Sequence, residues 1–241
     1  MRWVSGRRAA MAVLGTALAG ALVTGCGGKD VSSTDAKHDA PERFANSAQL
    51  PEYLAADGTT VVVGSAKADT VVRLYEDLRC PVCRDFEEEG GAGALRKMTL
   101  DGEVRTEYTL ASFLDDRLGG KGSKKAANAL RAALDQGKFV EYHDVLFHEQ
   151  PEESVDGYTD AFLLRMASRV KGLRGDEFDT AVKDMKYGSF VTASEKAYEQ
   201  DKVSGTPGFA VNGTLLGDDM RGGMFDPKYL PVVVAMASAK Q

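Results

Sequence analysis

Two cysteines separated by two residues, Cys80 and Cys83, are the side chains of this sequence best suited to chemistry. A β-branched run precedes them and a helix-like pattern follows, so the pair is predicted at a strand-to-helix junction. The free N–H groups and the dipole at a helix N-terminus stabilise an anion, which lowers the pKa of a thiol at Cys80. Pro81 fits the first helical turn, where it loses no hydrogen bond. Cys80 is therefore expected to be the attacking nucleophile, and the deeper Cys83 the resolving thiol.

Three less reactive interpretations of the cysteine pair compete with redox chemistry. A structural disulfide between Cys80 and Cys83 would close a very small loop and stabilise the fold little. Half of a zinc site would need a second cysteine pair or histidines at ligand spacing, and the sequence has neither. A c-type haem site would need histidine after Cys83, where Arg84 stands. Redox chemistry is the favoured interpretation, and Arg79 and Arg84 are expected to help stabilise the thiolate.

A second segment of interest, residues 203–213, lies far beyond the cysteine pair in the chain. Pro207 opens a predicted strand there, one of the few positions at which a strand accepts proline. The peptide bond between Thr206 and Pro207 is either cis or, as is commoner for proline, the ordinary trans form in a turn. The residues alone leave both possibilities open.

The elements that must position these two motifs follow from residue patterns. Residues 121–202 are predicted to be mostly helical, without a strand. Gly90, Gly91 and Gly93 weaken the helix after the motif by ~1 kcal/mol each relative to alanine, so a kink or break is expected there. Strands are predicted at 59–64, 70–76, 104–110, 208–211 and 214–216, with a hairpin turn at Asn212-Gly213. Further helices are predicted at 126–134, 139–147, 158–170, 176–185, 190–201 and 229–237.

Composition and charge exclude several classes of protein. The chain has 241 residues, of which 43% are hydrophobic, and this suits one domain of good size or one domain with an insertion. The formal net charge of −6 argues against a nucleic-acid-binding protein, which needs a basic surface to meet phosphates. Three cysteines are too few for a fold held together by disulfides.

The third cysteine, Cys26, belongs to a separate feature at the N-terminus. A basic start followed by small and apolar residues predicts an export signal over residues 1–25. The segment Leu22-Val23-Thr24-Gly25-Cys26 resembles a bacterial lipobox, which implies a lipid on Cys26. An uncleaved anchor, or secretion with Cys26 as a spare thiol, is the alternative. Residues 26–50 are rich in small and polar residues and are predicted to be a flexible tether, so the folded domain is expected over 51–241.

From about Thr60 to the C-terminus, the chain resembles the DsbA-like branch of the thioredoxin superfamily. The segments that carry the resemblance are Tyr75-Glu76-Asp77-Leu78-Arg79-Cys80-Pro81-Val82-Cys83 and Gly205-Thr206-Pro207-Gly208-Phe209-Ala210-Val211-Asn212-Gly213. The resemblance implies an α/β, thioredoxin-like fold with a helical insertion at about 118–202. It also implies that Pro207 follows a cis peptide bond and packs beside the disulfide. In such enzymes the backbone beside the residue that matches Thr206 pairs with an extended substrate.

The sequence departs from the family pattern close to the cysteines. Thioredoxin-like enzymes often carry a buried acid six residues before the first cysteine, where this chain has Leu74. Glu76 shares the strand parity of Leu74, so it is either a substitute proton acceptor for Cys83 or a solvated charge at the strand end, and the second interpretation is preferred. Strongly oxidising relatives have histidine where Val82 stands, and valine donates no hydrogen bond to a thiolate. A milder oxidant is therefore expected.

The histidines and an acidic run outside the two motifs are interpreted as structural or solvated. His38 lies in the predicted tether. His143 and His148 are five residues apart on a predicted helix, so they do not share a face well. The run of glutamates at 87–89 is expected to form a solvated helix face.

The function predicted from these features is that of an extracytoplasmic thiol–disulfide oxidoreductase, anchored to the bacterial cell membrane as a lipoprotein. It is expected to form disulfides in exported proteins through Cys80 and Cys83, with a redox-active disulfide and no metal or other cofactor. Exported proteins with thiols and a membrane redox partner are the expected partners, and nucleic acid is not. The segment before the domain is too short for a dimerisation domain, so a monomer is expected. A disulfide reductase or isomerase, or a non-catalytic thioredoxin-like lipoprotein that binds or chaperones, is the alternative.

Overall fold

The structure, a computed structural model, describes residues 41–239, and its centre is a mixed six-stranded sheet. The order of the strands across the sheet is β1-β2-β4-β3-β5-β6. The strands are β1 (Glu52–Leu54), β2 (Val61–Val63), β3 (Thr70–Asp77), β4 (Val104–Ala111), β5 (Gly208–Val211) and β6 (Thr214–Leu215). The four longer predicted strands are all present, with every end within two residues of its predicted position.

The central pair, β3 and β4, is the only parallel pair of this sheet within residues 41–239, and its register runs from Thr70 opposite Val104 to Asp77 opposite Ala111. A parallel pair needs a long crossover connection. That crossover carries the cysteine pair, because Cys80 follows β3 directly. Strand β5 lies antiparallel on the other side of β3, which brings Gly208 opposite Tyr75 and sets residues 204–207 beside the crossover.

Ten helices are described within residues 41–239. They are α1 (Pro81–Glu88), α2 (Ala92–Leu100), α3 (Phe113–Leu118), α4 (Gly122–Asp135), α5 (Phe139–His148), α6 (Asp160–Ala167), α7 (Asp176–Lys183), α8 (Gly188–Gln200), α9 (Asp218–Met224) and α10 (Leu230–Ser238). Residues 121–202 contain helices and no strand, as the sequence predicted. The fold is therefore the α/β, thioredoxin-like fold with a helical insertion that the resemblance implied.

The break between α1 and α2 confirms the expected interruption near Gly90 and Gly91. Low helix propensity is only part of its cause. A Cβ atom at Gly91 would lie 1.9 Å from the carbonyl oxygen of Met224, so the chain needs glycine where α9 ends against this turn. At Gly93 a Cβ atom would meet nothing within 4 Å, so this glycine has no comparable packing reason.

The two faces of the sheet are covered by different helices. Successive strand residues point to opposite faces, so Leu74 joins the main core while Tyr75 joins a smaller cluster with Tyr198 of α8. On the main-core face, Thr99 of α2 shares a hydroxyl hydrogen bond with Thr106 of β4. Glu76 has the parity of Leu74, which directs its side chain into the main core and not toward solvent.

The sequence patterns did not predict the short helix α3, and they also missed two elements at the edges of the fold, β1 and α9. Strand β1 has three residues and pairs only with β2, so its sequence is too short to show alternation. Helix α9 contains Gly222 and Gly223, and glycine is a poor helix former. Tertiary contacts decide both elements, including the approach of the end of α9 to Gly91.

The folded part of the chain begins before residue 51, where the sequence placed the start of the domain. The backbone N–H of Phe44 donates to the carbonyl of Leu100 at 2.8 Å, and Ser65 donates to the carboxylate of Glu42 at 2.8 Å. Leu50 is buried in the main core. The last nine residues of the predicted tether therefore contact the domain. The predicted export signal, Cys26 and His38 lie outside the described residues, and within 41–239 no helix has both the length and the hydropathy of a membrane span.

Candidate active site

Cys80 is the N-cap residue of α1, with extended backbone angles (φ −72°, ψ 117°), and Pro81 occupies the first helical turn. The backbone N–H of Cys80 donates to the carbonyl of Asp77 at 2.9 Å, which closes the turn between β3 and the helix. Both cysteines are free thiols in this structure. Both cysteines are buried, but Cys80 keeps 7% of its surface exposed whereas Cys83 keeps none, so Cys80 is the thiol nearer to solvent.

The two thiols have opposite acidities. The pKa of Cys80 is lowered to about 6, chiefly because the Cys83 thiol hydrogen-bonds to its sulfur. The side chain of Thr206 and the backbone N–H groups of Cys83 and Val82 lower it further. Partial burial opposes this lowering. The pKa of Cys83 is raised well above its usual value, first by burial and then by its hydrogen bond to Cys80 and by the charge of Glu76. At neutral pH Cys80 is the thiolate and Cys83 holds its proton.

The loop before β5 lies against the Cys80 thiol. The peptide bond between Thr206 and Pro207 is cis, in agreement with what the resemblance implied. The sulfur of Cys80 lies 3.4 Å from the carbonyl oxygen of Thr206. Arg221 of α9 donates to the carbonyl of Pro207 at 2.8 Å and holds the loop from outside. Val82, which lies between the two cysteines, is 45% exposed, so an apolar side chain reaches solvent next to the Cys80 thiol.

Arg79 does not take the role that the sequence suggested for it. Its side chain is buried, pairs with Asp115 at 2.9 Å, and donates to the carbonyls of Gly119 and Glu153 at 2.8 Å each. It therefore ties the turn before the motif to the helical insertion, and is not directed at the thiolate of Cys80. A buried cation needs such partners, and both terminal nitrogens of Arg79 have them, while its buried Nε has none among the described residues.

Asp77 organises the same turn from the strand side. Its carboxylate accepts hydrogen bonds from the backbone N–H groups of Arg79 at 3.0 Å and Leu114 at 3.1 Å, and from the hydroxyl of Ser123. Burial raises its pKa to about 7, although these donors favour the charged form. The turn that presents Cys80 is thus fixed to both α3 and α4.

The preferred interpretation of Glu76 as a solvated strand-end charge is wrong. Glu76 is fully buried, and its Oε2 shares a hydrogen bond of 3.0 Å with Nε2 of His143. Burial raises the pKa of Glu76 to about 8, with a smaller contribution from the charge of Cys80. The buried position of Glu76 is compatible with the alternative interpretation, in which Glu76 is a substitute proton acceptor for Cys83.

The interpretations of His143 and of the acidic run need the same correction. His143 is buried among Tyr108, Phe139 and Phe147, and burial lowers its pKa, so it is neutral. In the acidic run only Glu87 turns inward: its side chain is 5% exposed, and its Oε2 lies 3.9 Å from Nδ1 of His143. His148, by contrast, is exposed and bonded to Glu88, as the solvated interpretation expected.

Two further residues of the insertion reach the motif and had no sequence motif to indicate them. Gln150 donates to the carbonyls of Leu78 at 2.8 Å and Cys80 at 3.0 Å, and Tyr158 donates to Leu78 at 2.9 Å. The only sequence feature that could have indicated a contact between the insertion and the site was His143, a polar residue on the apolar side of α5. The loop of the insertion between α5 and α6 thus fixes the backbone that carries the nucleophile.

Glu76, Glu87 and His143 form the one group of three metal-ligand side chains that approach one another, within 4.8 Å, in the described part of the chain. Their protonation does not suit a metal, because carboxylate ligands must be deprotonated. Burial raises the pKa of both glutamates, and the imidazole of His143 is already bonded to Glu76. The arrangement is a buried cluster of two acids and a histidine, and the charge of Glu76 in it raises the pKa of the resolving thiol.

Comparison with known proteins agrees with this geometry. The family model described as Thioredoxin matches residues 56–222, more than half of the chain. The chain is 32% identical to the Na(+)/H(+) antiporter NhaA 3 of Salinispora tropica over 63% of this chain and 21% of the antiporter. It is 23% identical to Disulfide bond formation protein D of Bacillus subtilis over 64% of this chain and 68% of that protein. The crystal structure of oxidised BdbD from B. subtilis is 20% identical and covers 80% of this chain and 98% of that one, with a TM-score of 0.64.

The chain therefore belongs to the thioredoxin family. Within that family it has the fold of the DsbA-like thiol–disulfide oxidoreductases, as the two motifs predicted. It spans only about a fifth of the length of the antiporter that it matches, so the shared segment is one part of that longer protein.

Proposed function

We propose that this protein is a thiol–disulfide oxidoreductase that uses Cys80 as nucleophile and Cys83 as resolving thiol. One observation carries the proposal. The less buried thiol, Cys80, with a pKa of about 6, lies at the N-terminus of α1 beside the cis-proline loop, one turn above a fully buried thiol. No structural disulfide needs such an asymmetry between its two sulfurs. Exchange does need it, because the accessible sulfur must both attack and leave easily.

The reaction in the oxidising direction has two exchanges. A substrate thiolate attacks Sγ of Cys80 in the enzyme disulfide, so the Cys80–Cys83 bond breaks and Cys83 leaves as a thiolate that takes up a proton. A second substrate thiolate then attacks the substrate sulfur of the mixed disulfide, and Cys80 leaves as a thiolate. Two electrons pass from the substrate to the enzyme. The low pKa of Cys80 makes it a good leaving group in the second exchange.

The substrate is held by the loop beside the thiol. Thr206 presents its backbone next to Cys80, and the carbonyl of Pro207 is held by Arg221. An extended peptide that pairs with the backbone at Thr206 would place its own cysteine against Cys80 and its neighbouring side chain against exposed Val82. This geometry favours unfolded or loosely folded protein substrates.

Disulfide formation in exported proteins is the favoured direction. The B. subtilis relative is named as a disulfide bond formation protein, which supports this direction. Val82 supplies no hydrogen bond to the thiolate, so the enzyme is a milder oxidant than relatives with histidine there. A membrane redox partner would reoxidise the dithiol. The second candidate activity is that of a disulfide reductase or isomerase. Measurement of the reduction potential against glutathione decides between them, and a strongly reducing value would exclude the oxidase.

The residues before the folded domain determine where the protein is located in the cell. Residues 1–25 are an export signal, Cys26 becomes the lipidated N-terminus, and the residues up to about 41 tether a monomeric domain to the outer side of the cell membrane. The lipobox-like sequence before Cys26 supports this. Mass spectrometry of the native N-terminus is the test, and an unmodified Cys26 would remove the anchor.

Trapping tests the enzyme itself. In Cys83→Ala the mixed disulfide on Cys80 has no internal thiol to resolve it, so exported proteins should accumulate as adducts that reducing agents release. Cys80→Ala, with only the buried thiol left, is the matched control and should trap nothing. A non-catalytic binding protein would give no adduct with either variant, and that result would refute the proposal.

A further inference from the structure

One side of the C-terminal helix α10 is apolar and uncovered. The buried side of this helix is formed by Leu230, Val233, Val234 and Ala237. On the other side Tyr229, Val232 and Met236 are 61%, 51% and 53% exposed. They follow one another at intervals of three and four residues, so they share one side of the helix, here called the α10 stripe. No acidic or basic residue stands between Tyr229 and Ala239, so the helix is apolar all round although only one side packs on the core.

The α10 stripe is a cluster, whereas the other exposed apolar side chains of the protein are scattered. Within residues 41–239 eight large apolar side chains are exposed, and the stripe contributes three of them. The remaining five lie on five different elements or loops and are Tyr53, Val82, Leu118, Val155 and Leu215. A single exposed apolar residue needs no explanation, but a contiguous apolar patch marks a surface that binds a protein or a membrane.

The chain enters the folded domain beside the helix on which α10 packs. The backbone N–H of Phe44 donates to the carbonyl of Leu100 at the end of α2. Helix α10 packs on α2, and a Cβ atom at Gly91, directly before α2, would lie 2.5 Å from Cδ1 of Leu230. Helix α2 has nine residues and is therefore about 13 Å long. The entry of the chain and the start of α10 are thus separated by the length of one short helix.

A lipid on Cys26 would keep the bilayer within reach of this side of the domain. Residues 27–41 span at most about 50 Å even when fully extended, so the domain is held at a high effective concentration at the membrane surface. Lys228 is exposed directly before the stripe, and lysine is attracted to anionic headgroups. Tyrosine is enriched at the membrane–water interface, where its ring is apolar and its hydroxyl meets water. The stripe and its neighbouring cation therefore fit the surface of a bilayer.

We propose that α10 lies flat on the lipid bilayer that carries the anchor, with Tyr229, Val232 and Met236 buried between the headgroups and the acyl chains. The inference goes beyond disulfide exchange, and it rests on the lipid proposed at Cys26. The helix has nine residues, which suits a position in the plane of the membrane and is too short to cross it.

This orientation has a consequence for the proposed active site, because α9 connects α10 with the cis-proline loop. A Cβ atom at Gly223 of α9 would lie 2.6 Å from Val233, so the two helices are in close contact. Arg221 of the same helix donates to the carbonyl of Pro207 at 2.8 Å. Helix α9 has seven residues and is about 10 Å long. The loop beside Cys80 would therefore be held close to the bilayer surface, where a membrane redox partner is exposed.

Contact of α10 with acyl chains can be measured by fluorescence. The variant Val232→Trp provides the mature lipoprotein with its only tryptophan, because the one tryptophan of the sequence, Trp3, lies in the predicted export signal. The lipidated variant is reconstituted in vesicles of phosphatidylethanolamine and phosphatidylglycerol, with or without bromine atoms on the acyl chains. Bromine quenches tryptophan on contact. The emission should therefore shift to shorter wavelength on both vesicles and lose most of its intensity on the brominated ones.

Two matched pairs of variants make the measurement specific. Leu118→Trp introduces the same reporter at a side chain that is 46% exposed at the end of α3, and its emission should be the same on both vesicles. Met236→Glu, added to Val232→Trp, should lower the ratio of docked to undocked domain by about 10- to 100-fold, the effect of burying one such side chain, and the intensity should recover. Val155→Glu, added instead, alters an exposed apolar residue outside the stripe and should leave the quenching unchanged. Alkylation of Cys80 by iodoacetamide shows that each variant is folded.

The outcomes separate this inference from the proposed function. If mass spectrometry finds the lipid on Cys26 and Val232→Trp emits equally on both vesicles, α10 does not contact the bilayer, and only this inference is refuted. An unmodified Cys26 refutes the anchor, and this inference fails with it. A shift to shorter wavelength that bromine does not quench, and that disappears when the protein is diluted in the bilayer, would show that a second copy covers the stripe. That result would also overturn the inference.

Discussion

The acidity of Cys80 depends on a hydrogen bond from Cys83, and replacing that donor should raise the pKa of Cys80. The pKa of Cys80 is about 6, and the Cys83 thiol is the largest of the groups that lower it. A hydrogen bond to a charged group contributes ~1.5–3 kcal/mol. Since a pKa difference of one corresponds to about 1.4 kcal/mol, Cys83→Ala should place the pKa of Cys80 at about 7 to 8.

The matched variant is Cys83→Ser, because a hydroxyl of nearly the same size still donates. Its Cys80 should keep a pKa close to the wild-type value, while the alanine variant differs. Even in Cys83→Ala the pKa should stay below that of a free thiol, because the N–H groups at the start of α1 remain. The three values therefore separate the contribution of the Cys83 donor from that of the helix N-terminus.

The assay is the ultraviolet absorbance of the thiolate as a function of pH, with the rate of alkylation by iodoacetamide as an independent measure. Both report the thiolate of Cys80, since Cys83 has a pKa well above its usual value and stays protonated. Identical Cys80 pKa values in Cys83→Ala and the wild type would show that the Thr206 side chain and the helix N-terminus stabilise the thiolate without Cys83. A serine variant that behaves like the alanine variant would equally refute the role of the donor.

Three further predictions concern stability. Arg79→Leu leaves buried Asp115 without its cation, so the free energy of unfolding in urea should fall by about 3–5 kcal/mol; a loss below ~1 kcal/mol would show that the pair behaves as an exposed one. Gly91→Ala drives a Cβ atom against the carbonyl of Met224 and should cost about 1–3 kcal/mol, whereas Gly93→Ala, in open space on α2, should stabilise by about 0.5–1 kcal/mol; equal effects of the two alanines in thermal melts would contradict this. The pKa of Glu76 is raised from 4.5 to about 8 in the folded state. The contribution of Glu76 to the free energy of unfolding is therefore fully present below pH 4.5 and is lost as the pH rises to about 8. Glu76→Gln should therefore gain stability relative to the wild type between these two pH values, and a constant difference would refute the buried acid.

Local sequence patterns predicted the elements whose formation is local. Strands β3 and β4 have eight residues each, β-branched or alternating, and both were predicted within one residue of their ends. Strand β1 was not predicted because three residues carry no period, and only pairing with β2 makes it a strand. The glycines after α1 predicted an interruption, but the contact of Gly91 with Met224 that makes glycine necessary joins residues far apart in the chain.

Some features of the candidate site were likewise predictable from local sequence, and others depend on tertiary contacts. The spacing of Cys80 and Cys83, with proline between them and a strand before them, is enough to predict a thiol at a helix N-terminus. The partners of Glu76 were not predictable, because His143 is 67 residues away on the inserted helix. Helical spacing separated His143 from His148 correctly but could not tell which of them faced the sheet. The run at 87–89 was likewise interpreted as uniformly exposed, although Glu87 alone turns inward.

The sequence by itself determined the chemistry that is possible here. It predicted a pair of thiols of which Cys80 is the more acidic, a proline-containing loop at Pro207, and a helical insertion. Those properties depend on residue type and short spacing, which the chain carries locally. Only the tertiary structure decided which polar groups lose their water, because burial depends on what packs against a side chain. Burial raises the pKa of Glu76, Glu87 and Cys83. Arg79, which was expected to stabilise the thiolate, is buried in an ion pair with Asp115 and has a structural role.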